Sequence, residues 1–203
     1  MMLQHMTRDE LRRAYETDLV EAFPPSELKP LSAMEILCDK GLYAPLRLMD
    51  EHGATLGYAL LWHHDDGRYV LIDYLCVPAQ LRNQGIGAKL LDAMRVHYSS
   101  DTVFIWESEA PTGDAAQDAM ILRRLAFYQR CGAVVLGYDN ALFGVHFKTL
   151  CCSLSPLPDE DEIMRKHQEI YFNHFGQARY DRYVQIPLLP GETPIPVTDW
   201  IEE

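Results

Sequence analysis

The sequence predicts a mixed α/β fold whose sheet is mostly antiparallel and carries helices on both faces. Two observations predict this class. Three apolar segments at 44–50, 55–63 and 68–77 follow one another through tight turns, as in an antiparallel meander. The third segment is almost continuously apolar, which is typical of a strand covered on both faces.

Helical periodicity precedes and follows these strands. Between residues 8 and 23 apolar side chains recur every four positions, and prolines at 24 and 25 end the pattern. The other elements predicted from periodicity and turn residues are helices at 31–40, 85–98, 117–131 and 159–173, and strands at 102–107, 133–138 and 145–152.

The length of 203 residues suggests one domain with a small appendage. Prolines at 156 and 158 mark the boundary, which predicts a first domain over 1–154. Residues 155–203 then form a C-terminal helix and a Pro-rich extension, packed on the same domain or on a partner subunit. A homodimer is left open by the sequence.

The formal net charge of −12 limits the partners of the protein. Nucleic acids and anionic membranes would be repelled, so neither is expected as a partner, and a cationic or neutral ligand fits better. The N-terminal residues are polar, and no apolar run reaches the length of a membrane span. The five cysteines include no CxxC pair, which favours reduced thiols and a cytoplasmic protein.

The most informative segment follows the apolar strand at 68–77 and opens the helix at 85–98. Gly85 and Gly87 leave the backbone open to a close ligand, and Arg82 adds a cation. A helix N-terminus presents unpaired N–H groups and partial positive charge, which suits a phosphate. A dinucleotide fingerprint is excluded because Leu90 stands where Gly or Ala is needed, and a P-loop lacks its Gly-Lys-Ser/Thr.

The pattern Arg82-x-x-Gly85-x-Gly87 resembles motif A of the GNAT acetyltransferase superfamily, and the order of elements over 1–150 is similar. One departure is Ala79, where many relatives have proline. The resemblance implies a splayed sheet and acetyl-CoA as acyl donor, with its pantetheine arm on the backbone of Leu75, Cys76 and Val77. It places the pyrophosphate on a loop formed by Arg82, Asn83, Gln84, Gly85, Ile86, Gly87 and Ala88.

A second segment, from Leu125 to Gly132, resembles the Phe-Tyr-x-x-x-Gly element of the same superfamily. The resemblance makes Tyr128 the acid that protonates the leaving CoA thiolate. A phenol suits this role because its pKa, about 10, lies near that of a thiol. The alternative is a core tyrosine on an amphipathic helix. Ile121 and Arg124 replace the Asn and Ala of many relatives, which weakens any transfer of detailed helix contacts.

Two carboxylates end the strand at 102–107 and are candidate catalytic residues. Strand alternation puts Glu107 and Glu109 on one face if the strand continues. One of them can take a proton from an ammonium group, and the other can bind positive charge on the acceptor. The alternative is a solvated strand end.

Four further residues are candidate contacts of the acceptor. Asp73 is a charge inside an apolar strand and therefore needs a partner or a role. Tyr74 and Trp106 can form an aromatic wall for a cation. Glu27 follows the first helix, where relatives shape the acceptor pocket. No spacing of His, Cys, Asp or Glu suggests a metal site.

These residues predict acetyl transfer from acetyl-CoA to the primary amine of a small, cationic acceptor by direct attack. Two alternatives are left open. The donor can carry a longer acyl chain, since the depth of the acyl pocket is invisible in the sequence. The chain can also be a CoA-binding sensor or interaction module without turnover.

Overall fold

The structure is a computed structural model, and it describes residues 1–25 and 27–197. The chain divides into two compact units, Met1–Thr102 and Val103–Glu203. The predicted boundary at 154/155 lies within the second unit and stays a prediction. The residues beyond 155 belong to the second unit because their strand pairs with a strand that precedes the prolines.

The first unit contains four strands and the helices that surround them. In chain order the elements are β1 (Met2–His5), α1 (Arg8–Ala14), a π-helical segment (Tyr15–Leu19), α2 (Val20–Ala22), α3 (Leu31–Asp39), β2 (Tyr43–Met49), β3 (Thr55–His63), β4 (Tyr69–Cys76), a 3-10 turn (Ala79–Leu81) and α4 (Ile86–His97). The strands lie in the order β1-β2-β3-β4, and their pairs are antiparallel. The predicted meander is confirmed, whereas β1 was not predicted.

The pairing of β3 with β4 contains a bulge. The register passes from Leu60 opposite Tyr74 to Leu61 opposite Ile72, so that Asp73 is an extra residue of β4. A bulge bends its strand and redirects the extra side chain. The only charged side chain of this apolar strand therefore lies where the ladder is interrupted.

The second unit contains the other four strands and two long helices. Its elements are β5 (Val103–Glu109), α5 (Ala115–Arg130), β6 (Val134–Leu142), β7 (Val145–Cys152), α6 (Glu160–Tyr183) and β8 (Val184–Leu188). The strands lie in the order β5-β7-β6-β8, and the pairs are antiparallel. The predicted class, a mixed α/β fold with a mostly antiparallel sheet, is confirmed.

The C-terminal elements differ most from the sequence prediction. The helix predicted to end at 173 continues to Tyr183, with a non-helical backbone at Gly176 (φ 69°, ψ 172°). The residues after it, predicted to be an extended tail, begin with a strand whose Val184 pairs with Leu142. Within residues 1–25 and 27–197, no helix is both long and apolar enough to cross a membrane.

Candidate active site

The loop between β4 and α4 has the features that a phosphate site requires. Gly85 is the N-cap of α4, with φ of 76° and without a side-chain hydrogen bond to the helix. A Cβ at this position would meet no atom within 4 Å, so the backbone conformation rather than crowding demands glycine. The first N–H groups of α4 are thereby left without a side-chain cap.

The side chains of the loop fix its shape while remaining on the surface. Arg82 donates from Nε to the carbonyl of Val77 at 3.0 Å, and Gln84 donates to the carbonyl of Gln80 at 3.0 Å. Asn83 adopts a left-handed conformation with φ of 63°. Residues 82–85 are exposed. The loop is therefore held by its own bonds and is open to a ligand, which fits a pyrophosphate.

The end of β4 lies against a glycine that the sequence analysis missed. A Cβ on Gly57 of β3 would lie 2.9 Å from the carbonyl oxygen of Cys76 and 3.4 Å from Leu90. Leu75 and Val77 are half-buried beside Cys76, which is buried. Burial raises the pKa of the Cys76 thiol to about 12, so this cysteine is a poor nucleophile at neutral pH.

The bulged Asp73 has partners that the sequence did not reveal. Its carboxylate accepts from Nζ of Lys29 at 2.8 Å and from the hydroxyl of Tyr43. Both charged side chains are largely buried, with exposed fractions of 13% for Lys29 and 10% for Asp73. The ammonium also lies 4.5 Å from the ring centroid of Trp62, in cation–π geometry. Burial and then the charge of Asp73 raise the pKa of the Tyr43 phenol well above its usual value.

Tyr74 joins the same group. Its hydroxyl accepts from the backbone N–H of Lys29 at 2.7 Å and donates to the carbonyl of Glu27 at 2.8 Å. Its ring packs edge-on against Phe23 at 4.9 Å. The structure thus brings together Glu27, Asp73 and Tyr74, three predicted acceptor contacts, around one loop that Lys29 anchors.

In the second unit, Tyr128 of α5 packs its ring edge-on against Trp106 of β5, at 5.4 Å between centroids. Its hydroxyl has no hydrogen-bond partner in the described part of the chain. Burial raises the pKa of the Tyr128 phenol above its usual value, and Arg124 opposes part of this rise. The phenol is therefore protonated at neutral pH and available as a donor.

Two buried donors on the same face of β5 also lack partners. Nε1 of Trp106 and Oγ of Ser108 have no hydrogen bond within residues 1–25 and 27–197. The two residues are separated by one position, so they face the same side of the strand. Buried polar groups are normally satisfied, and these two could be satisfied by a polar group of a ligand beside Tyr128.

Glu107 points to the opposite face of β5 from Trp106. Its Oε1 accepts from Nε2 of His167 at 2.7 Å and from the hydroxyl of Tyr171 at 2.8 Å, both on α6. His167 and Tyr171 were missed, although their i, i+4 spacing within the predicted helix at 159–173 puts them on one helix face. The C-terminal helix therefore supplies the partners of the predicted base.

Glu109, at the end of β5, has a different partner. Its Oε2 lies 3.0 Å from Nη1 of Arg124 on α5, and both side chains are partly exposed. Glu107 and Glu109 consequently contact different helices. The arrangement gives one carboxylate a buried polar environment and the other a surface ion pair.

Comparison with known proteins identifies the class. Residues 46–132 match the model of a family described as acetyltransferase (GNAT) domain. The match includes the β4–α4 loop and ends just after Tyr128. No curated protein sequence matches the chain.

Solved structures share the fold at low sequence identity. A GNAT-family acetyltransferase from Bacteroides thetaiotaomicron is 21% identical with a TM-score of 0.68, over 85% of this chain and 97% of that one. A spermidine N-acetyltransferase chimera from Vibrio cholerae and hSSAT is 12% identical with a TM-score of 0.56, over 76% and 97%. An aminoglycoside 6'-N-acetyltransferase complexed with coenzyme A is 13% identical with a TM-score of 0.54, over 78% and 100%.

The fold and the matched domain define the protein as an acyltransferase. More narrowly, residues 46–132 are similar to a GNAT acetyltransferase domain. The family resemblance of the Arg82-x-x-Gly85-x-Gly87 loop is confirmed. The roles of the individual site residues remain predictions.

Proposed function

We propose that the protein transfers the acetyl group of acetyl-CoA to the primary amine of a small, cationic acceptor. The observation that carries the proposal is the uncapped N-terminus of α4, opened by Gly85 within a GNAT domain. The loop from Arg82 to Ala88 would hold the pyrophosphate, and the backbone of Leu75, Cys76 and Val77 would pair with the pantetheine arm.

The amine must lose a proton before it attacks the thioester carbonyl. Glu107 is the proposed base, because its Oε1 is fixed by two donors while its Oε2 has no partner in the described part of the chain. The new bond joins the amine nitrogen to the acetyl carbon, and the carbon–sulfur bond breaks. A backbone N–H near Val77 is the proposed donor to the carbonyl oxygen.

The leaving thiolate needs a proton or a strong hydrogen bond. Tyr128 is the proposed donor, supported by its unpartnered hydroxyl. A thiol has a pKa of about 8.5 and an ordinary phenol about 10. Because burial raises the pKa of Tyr128 further, the phenol keeps its proton at neutral pH, where it can donate a hydrogen bond to the thiolate, and it is a weaker source of a whole proton.

A cationic acceptor is favoured by the net charge of −12 and by Glu109. Glu109 already pairs with Arg124, so an acceptor ammonium would compete with this guanidinium. Asp73, Tyr74, Glu27 and Trp106 are proposed as the surroundings of the acceptor. The fold includes N-acetyltransferases of spermidine and of aminoglycosides, which are cationic amines.

A thiol-release assay with acetyl-CoA against a panel of amines tests the proposal. We expect release with at least one cationic primary amine, and loss of CoA binding in Gly87→Val, which adds a branched side chain to the first turn of α4. If calorimetry shows CoA binding but no amine gives thiol release, the result would instead support a binding module. If thiol is released only with longer acyl-CoAs, the donor is a longer acyl-CoA and not acetyl-CoA.

A further inference from the structure

A buried chain of hydrogen bonds connects three elements of the second unit and ends on Glu107. His167 of α6 is fully buried, with an exposed fraction of 0%, while Glu107 of β5 keeps 9%. Nε2 of His167 lies 2.7 Å from Oε1 of Glu107, and its Nδ1 lies 3.2 Å from the hydroxyl of Tyr138 on β6. Both ring nitrogens of this histidine are therefore engaged.

Further polar groups lie beyond Tyr138. Burial raises the pKa of the Tyr138 phenol, and the neighbouring side chain of Thr149 on β7 opposes part of this rise. The amide nitrogen of Asn140 donates to the hydroxyl oxygen of Thr149 at 2.7 Å, and both of these residues are fully buried. The hydroxyl proton of Thr149 is therefore free to point at Tyr138.

The chemistry of the groups at the two ends sets the direction in which the hydrogen bonds donate. An ionised carboxylate only accepts, so Nε2 of His167 donates to Oε1, and in the neutral tautomer that carries this proton Nδ1 accepts from the hydroxyl of Tyr138. At the other end, the amide nitrogen of Asn140 only donates. Every donor then points towards Glu107, and chains of this kind polarise one another in a low-dielectric interior.

Only one oxygen of the carboxylate is used. Tyr171 donates to the same Oε1 as His167, at 2.8 Å. Oε2 of Glu107 has no hydrogen-bond partner in the described residues, and 9% of the side chain is exposed. The carboxylate is thus held by one oxygen and presents the other.

We propose that His167 is a positioning residue for the transfer reaction, which holds Glu107 so that Oε2 accepts the proton of the acceptor ammonium. This inference rests on the proposed function and gives α6 a part in it. The N–H bond of the ammonium breaks, the O–H bond forms at Oε2, and the electron pair stays on nitrogen for the attack. His167 keeps its own proton throughout.

The docking of α6 on β6 supports this arrangement. Glu160, in the first turn of α6, accepts from the backbone N–H of Gly137 at 2.8 Å. A Cβ on Gly137 would lie 2.9 Å from the same carboxylate oxygen, so glycine permits the approach. The titratable groups around the chain are Tyr171 and Glu160 on α6, Tyr138 on β6 and Cys151 on β7.

The test is the pH dependence of kcat/KM for an active amine. His167→Phe removes a donor to the carboxylate, which favours its protonated form, so the acidic limb should move to higher pH by about one unit. His167→Gln keeps an N–H donor of similar reach, so the acidic limb of this variant should lie close to that of wild type. Glu169→Gln, at a partly exposed carboxylate of the same helix that pairs with Lys166, is the control and should match wild type.

The outcomes separate this inference from the proposed function. If Glu107→Gln abolishes release while His167→Phe keeps the wild-type limb, His167 has only a structural role and the inference is wrong. If wild type releases no thiol with any amine, the proposed function has failed first. Should His167→Phe not fold, nitrogen-15 NMR of wild-type His167 decides, because proton placement on Nδ1 would overturn the inference.

Discussion

The β4–α4 loop in the first unit and the end of β5 in the second unit each carry residues of proposed function, and they are built in opposite ways. In the loop the backbone forms the proposed phosphate site: Gly85 sets the conformation, and the first N–H groups of α4 have no side-chain cap. The end of β5 works through side chains, with Glu107 held by His167 and Tyr171 from a distant helix. A backbone site is local in sequence, whereas a side-chain site depends on tertiary packing.

This difference explains what the sequence could predict. Two glycines and an arginine within six residues were enough to predict the phosphate loop and the family. The partners of Glu107 lie 60 and 64 positions further along the chain, and periodicity does not say against which strand a helix packs. We therefore expect the β4–α4 loop and the end of β5 to respond differently to substitution.

The largest effect is expected from a side chain placed in the loop. Gly85→Val should reduce CoA binding below detection in calorimetry, because a branched residue disfavours the left-handed backbone that opens α4. Gly67→Val is a matched control, since Gly67 has φ of 71° and equally open surroundings in the β3–β4 turn. The proposed site would be contradicted if both variants lose similar stability and Gly85→Val still binds CoA with unchanged affinity.

In the second region, Tyr128→Phe should lower kcat by about 10²–10⁴-fold, the usual loss for one proton donor. CoA affinity should change little, because the phenyl ring still packs on Trp106. Tyr98→Phe is the control, a hydroxyl deletion at a tyrosine bonded to His63 in the first unit. A wild-type rate across the pH range in Tyr128→Phe would make Tyr128 a core residue.

The Lys29–Asp73 pair shows where prediction from sequence reached its limit within the first unit. A carboxylate in an apolar strand indicated that a partner exists, but nothing local identified Lys29, 44 positions earlier. The same holds for Gly57, whose close approach to Cys76 is a property of packed strands. Most strands and helices could be predicted from local patterns in the sequence. β1 and β8 have no such pattern, and only their pairing with other strands identifies them.

Removing one partner of this pair should be costly for folding. Lys29→Met leaves a buried carboxylate without its ammonium, which typically destabilises a protein by about 3–5 kcal/mol. Asp73→Asn added to Lys29→Met should recover part of that loss in urea unfolding. Additive losses in the double variant would mean that the two side chains do not stabilise each other, and that the loop is anchored by Tyr74 alone.

The smallest effect is expected at Glu109, where the carboxylate is partly exposed and already paired with Arg124. Exposed pairs contribute about 0.2–1 kcal/mol, which corresponds to a change in kcat/KM of about fivefold at most. Glu109→Gln should lower kcat/KM for an amine with a second ammonium group, and Arg124→Gln, which frees the carboxylate, should raise it.

The matched substrate carries a carboxylate in place of the second ammonium, and it should respond to the two substitutions in the opposite sense. Both effects should shrink at high salt because exposed charges are screened over about 10 Å at 0.1 M. A preference of wild type for the anionic amine, or equal responses of both substrates to the two variants, would show that the acceptor is not selected by this charge. The end of β5 would then contribute Glu107 alone, and its buried carboxylate rather than its surface charge would distinguish it from the loop.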